Sequence, residues 1–214
     1  MAKEPNPQFA EDEDLERARA FWKENGRSII AGLVLGVGAI GGWNGWQIWQ
    51  TNQGESASAL YENLRSDDID LAAAASLASD LMNDYGGTPY AIQGALMMAR
   101  KSVEAGEVVE ARGYLEWALE NAGDVAMQNV SRLRLAQIMI EAGEAGEALD
   151  ILAVAASEAG PFAARFQELI GDAKALQGNH DDARVAWEKS LELLAPGAAG
   201  ERLLQLKIDN LGEL

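Results

Sequence analysis

The apolar residues of this 214-residue chain fall into two patterns. One is a block: from Ser28 to Gly54, 27 consecutive positions carry no charge, in a chain that is 24% charged. Its apolar portion, Ile29 to Trp49, spans roughly 31 Å as a helix, close to the ~30 Å hydrocarbon thickness of a bilayer. The other is a period. Beyond residue 90, large and small apolar residues recur at helical spacing, interrupted by glycines at Gly106, Gly143 and Gly178.

The block predicts one transmembrane helix over 28–50. Phe21 and Trp22 precede it and Trp43, Trp46 and Trp49 close it, as suits aromatic rings that prefer the headgroup level. Arg17, Arg19, Lys23 and Arg27 lie before it, whereas the 20 residues after Trp49 contain only Arg65. Cations near a span stay on the cytoplasmic side, so residues 1–27 read as a cytoplasmic tail and residues 57–214 as a domain across the membrane. A cleaved signal peptide would end in small residues. Here the apolar stretch runs instead into Trp43, Asn44 and Trp46.

This anchor is only moderately apolar. Its eight Ile, Leu and Val residues favour insertion by about 3 to 4 kcal/mol, and Asn44, Gln47 and the glycines erode that gain. Gly38, Gly41, Gly42 and Gly45 share one helical face, where small residues let a neighbouring helix approach. The same letters contain GVGAIG (36–41), a G-x-G-x-x-G. A dinucleotide-binding loop needs a strand before it, a helix opening after it, an acid about 20 residues on and a parallel sheet. Glu62 stands at about that distance, but three tryptophans follow where the helix should start and no further strands are in sight. The polar joint TNQGES (51–56) reads as a hinge.

The periodic part aligns with itself. Five residues after each turn glycine comes Ala111, Ala148 or Ala183, and four later Leu115, Leu152 or Trp187. Three further on stand Ala118, Ala155 and Ser190; twelve before the alanines are Ala99, Ala136 and Gly171, preceded by Met98, Leu135 and Ile170. This is the tetratricopeptide grammar of helical hairpins, small residues where helices touch and a bulky one filling the gap. Units of about 91–123, 128–160 and 163–195 follow, with 57–84 and 199–212 as capping helices. The fold class is therefore all-α: one N-terminal transmembrane helix, then a tetratricopeptide-like solenoid.

Composition narrows the function. Residues 55–214 hold 12 basic and 27 acidic side chains, which argues against nucleic acid as a partner. There is no cysteine and one histidine, so thiolate or multi-histidine metal sites are excluded. No cofactor is expected. His180, Asp181 and Asp182 could be drawn as a base with two carboxylates, but they stand where Asn and Asp start helices. Asp67 with Asp68 and the run Glu11 to Asp14 read as solvated charge, and Trp117 and Trp187 as packing residues. No enzyme is expected.

A repeat solenoid works through the concave face formed by its first helices. The register places Gln93, Leu96, Arg100 and Val103 there, then Val130, Leu133, Gln137 and Ile140, then Arg165, Glu168 and Asp172. A segment of a partner protein suits that mixed surface.

FWKENGRSIIAGLVLGVGAIGGWNGWQIW (21–49), GNHDDARVAWEKSLE (178–192) and QLKIDNL (205–211) resemble the ancillary SecYEG translocon subunit family. The most specific parts are ENG before the anchor, the glycine-rich anchor ending in GW, the AR-x-AW of Ala183 to Trp187 and the K-I-x-N-L of Lys207 to Leu211. The resemblance implies a single-pass inner-membrane protein of a Gram-negative bacterium with a periplasmic tetratricopeptide domain. It implies as partners the SecYEG translocon, a membrane-anchored periplasmic chaperone of the prolyl-isomerase-like class and exported polypeptides beside the lipid bilayer. It carries over no catalytic residue. A periplasmic scaffold for envelope assembly or cell division is the alternative.

Overall fold

The computed structural model describes residues 7–66, 68–155 and 159–212. Residues 1–6 of the predicted cytoplasmic tail, Asp67, residues 156–158 within the expected second repeat and the last two residues lie outside the described residues. The chain divides into two units, residues 1–52 and 53–214. Among the described residues every regular element is helical.

Helix α1 (Pro7–Leu64) is 58 residues long. Among the described residues it is the one helix long and apolar enough to cross a membrane, and the side chains of its segment 28–50 are exposed throughout. GVGAIG is helical, so the loop that a dinucleotide would need is not formed. Residues 51–56 are helical as well, and the boundary between the two units falls among them.

The second unit is built of paired helices: α3 (Pro89–Glu104) with α4 (Val108–Asn121), α5 (Val125–Glu141) with α6 (Ala145–Ala153), and α7 (Ala163–Leu176) with α8 (His180–Leu193). The hairpins run over 89–121, 125–153 and 163–193. The sequence sets the first two starts with side-chain caps. Thr88 caps α3 through Ala91 N at 3.4 Å with Pro89 in the first turn, and Asp124 caps α5 through Met127 N at 2.9 Å. The turns within the hairpins are alike. Gly106, Gly143 and Gly178 adopt φ of 82°, 84° and 77°, the left-handed conformation that closes a helix. The amides that follow them reach back to Ser102, Met139 and Lys174 carbonyls at 2.8, 2.8 and 2.9 Å.

Ala111, Ala148 and Ala183 are fully buried, as are Leu115, Leu152 and Trp187 to within 2%. Burying each such leucine contributes about 2 kcal/mol. Arg112 ties the first two hairpins together, reaching Glu144 at 2.6 Å and Glu147 at 2.8 Å.

The N-terminal flank read over 57–84 is two pieces. α1 ends at Leu64, and α2 (Leu71–Asp84) starts afresh because Asp70 accepts Ala73 N at 2.8 Å. Leu64, Ala78 and Leu81 seat this cap against Ala91 and Met98. At the other end α9 (Glu201–Asp209) packs Leu204, Ile208 and the following Leu211 against Ala183 and Trp187.

Candidate partner-binding site

The first helices of the three hairpins form a row, and α9 extends it. Three open hollows lie along this row. The first, of about 340 Å³, lies between α3 and α5 and is lined by Gln93, Leu96, Arg100, Val130 and Arg134 together with Tyr61 and two methionines. The second, of about 390 Å³, shares Leu96, Arg100 and Arg134 and adds Val103, Gln137, Ile138 and Glu141. A third, of about 870 Å³, is bounded by Ile140, Leu176, Trp187 and the α9 residues Leu203 and Leu206.

The expected partner-facing residues distribute over this surface unevenly. Gln93, Leu96, Arg100 and Val130 meet in the first hollow, Gln137 borders the second and Ile140 the third. Leu96 and Leu133 are nearly covered, at 6% and 8% exposure, and belong to the core. Leu96 still floors two hollows, while Leu133 borders none of the three. Arg134 takes that place on α5. A stripe of 134, 137, 138 and 141 is as good a helical face as the expected 130, 133, 137 and 140, so the sequence alone does not separate them.

Arg165, Glu168 and Asp172 are engaged with one another's neighbours. Arg165 Nη1 meets Glu168 Oε2 at 2.6 Å, and its Nη2 donates to Gln137 Oε1 at 3.0 Å, which joins α7 to α5. Lys207 Nζ from α9 lies 3.0 Å from Glu168 Oε1 and 2.7 Å from Asp172 Oδ1. Trp187 Nε1 donates to the same Asp172 oxygen at 2.9 Å, and Lys207 stands 5.9 Å from the indole ring. Glu168 is pulled two ways: burial raises its pKa, but its bonds to Arg165 and Lys207 prevail and hold the carboxyl below the usual range. These groups brace the last hairpin and α9. Trp187 is a packing residue, as the sequence suggested.

His180 is exposed at the first turn of α8, and Asp182 pairs with Lys174 at 3.1 Å. Gly38, Gly41, Gly42 and Gly45 lie in α1, and a Cβ added at any of them would meet, among the described residues, nothing within 4 Å beyond its chain neighbours and the helix's own backbone. Their face of the helix is open to a neighbour.

A family model described as a tetratricopeptide repeat-like domain matches residues 19–213. The chain is also similar to proteins named ancillary SecYEG translocon subunit. That of Escherichia coli K12 is 31% identical over 208 residues, covering 94% of this chain and 96% of the relative. Those of Haemophilus influenzae and Neisseria gonorrhoeae are 29% and 26% identical, each over 94% of this chain and 97% of the relative.

Proposed function

The chain belongs to the family of ancillary SecYEG translocon subunits, and from that premise we propose that it is a membrane-tethered interaction subunit of the protein-export channel. Segment 28–50 of α1 crosses the inner membrane once, with the N-terminus in the cytoplasm. The glycine face around Gly38 and Gly42 packs beside transmembrane helices of the channel. The TNQGES joint lets the repeat domain, on the periplasmic side, move relative to its anchor. There its row of first helices holds a membrane-anchored chaperone or an emerging polypeptide near the channel exit.

The observation that carries this reading is that the similarity to translocon subunits covers anchor and repeats together. The excess of carboxylates in the domain keeps it off anionic headgroups and in solvent. Purification in mild detergent tests the proposal. SecYEG subunits and a periplasmic chaperone should co-purify, whereas recovery with neither, or with envelope-assembly proteins instead, would overturn it.

A further inference from the structure

In a domain with 27 acidic and 12 basic side chains, the hollow between α3 and α5 is an exception. Two guanidinium groups, Arg100 and Arg134, line it and, among the described residues, no carboxylate does; Glu104 and Glu141 line the adjoining hollow that shares both arginines. Arg100 is held by Glu104 at 2.7 Å in an exposed pair, a contact that contributes little and is readily exchanged. Arg134 is exposed and makes no ion pair or side-chain hydrogen bond among the described residues. Outside the hollow, Arg65 pairs with Glu62 at 3.0 Å and stands 6.0 Å from the ring of Tyr61, which closes one side of it. The floor is apolar and adaptable: Leu96, Val130 and the methionines Met97 and Met127, whose thioethers accommodate side chains of varied shape.

We infer that this hollow receives a carboxylate carried on an apolar peptide segment. The inference rests on the reading of the domain as an interaction module and gives its partner a chemistry. Guanidinium forks match a carboxylate in geometry and charge, and the adjoining methionine floor takes the apolar side chain beside it. A volume of about 340 Å³ has room for one or two side chains rather than a folded element. The carboxylate can come from an acidic side chain or from a chain terminus. The surrounding negative surface contributes selectivity, since it disfavours acidic segments wherever they are not met by these arginines.

Fluorescence anisotropy on the full-length chain in mild detergent tests this with a labelled Gly-Leu-Met-Asp-Leu-Gly amide, its Asn and Lys counterparts, and a peptide without Asp that ends in a free carboxylate. The Asp amide should bind about tenfold more tightly than the Asn one, and the Lys peptide least. The free-terminus peptide matching the Asp amide would assign the site to a chain end, and its failure to bind would assign it to an acidic side chain; either agrees with the inference. Arg134→Gln and Arg100→Gln should each weaken binding about fivefold, with unchanged circular dichroism, and added salt should weaken it further. Equal binding of the Asp and Asn peptides, no binding at any soluble concentration, or indifference to both substitutions would each overturn the inference. So would arginine-dependent binding of phosphatidylglycerol vesicles in place of the peptide. If SecYEG still co-purifies while the peptides fail, only this inference falls; if the peptides bind and SecYEG is absent, only the functional reading does.

Discussion

The indole of Trp187 occupies the space beside Gly171 in which a methyl group would have to sit. The other two hairpins carry an alanine at the position of Gly171 and a leucine at that of Trp187, so the third has exchanged volume between its helices. The exchange also gains the hydrogen bond from the indole to Asp172.

Gly171→Ala should therefore destabilise the domain by about 1–3 kcal/mol through overpacking. Adding Trp187→Leu should restore part of that loss, giving a favourable coupling in a double-mutant cycle. Urea unfolding of the single and double variants measures it. Additive effects would mean that the two residues do not share space.

Lys207→Met should weaken the hold of α9. It removes the cation facing two partly buried carboxylates, and its cost should be about 2 kcal/mol, below the full penalty for a buried pair because the groups keep some solvent contact. Amide exchange should accelerate over 201–211 first and leave α3 to α6 protected. Uniform acceleration along the domain would contradict this.

Acid should release the same helix. Glu168 has a lower pKa folded than unfolded, so its contribution is complete above the unfolded value and fades as pH falls through the folded one. α9 should stay docked at neutral pH and loosen only below the usual carboxylate range, with Glu168→Gln removing this part of the dependence. Exchange over 201–211 followed against pH gives the readout, and loosening between pH 6 and 8 would rule Glu168 out as its cause.

The absence of cysteine makes topology directly measurable. A thiol introduced by Ser56→Cys should react in intact cells with a maleimide that passes the outer membrane but not the inner one. One introduced by Glu24→Cys should react only after the inner membrane is opened. The reverse pattern would invert the orientation drawn from the cations before the anchor.

The hairpins were legible because their grammar is local. A glycine that must turn left-handed, an alanine five residues on and a bulky residue four beyond that can be read from spacing alone, and Gly106, Gly143 and Gly178 take up that conformation. What joins distant parts was not legible. Lys207 reaches Glu168 and Asp172 across 39 and 35 positions, and nothing in its neighbours names those partners. Yet two of the motifs most specific to the resemblance, AR-x-AW and K-I-x-N-L, meet around Asp172, which gives them a structural meaning that spacing did not. Arg134 escaped through a small rotation of the α5 face, since two helical stripes fit the same letters.

The cap provided by α9 has a consequence for assembly. A stack of hairpins presents the same kind of surface at its last repeat as at every junction before it, and such an edge can recruit another copy head to tail without closing. Here α9 and the residue after it, through Leu204, Ile208 and Leu211, occupy the surface around Ala183 and Trp187 on which a further hairpin would stack. That surface is thus covered by α9, and a second copy could reach it only after α9 had been displaced.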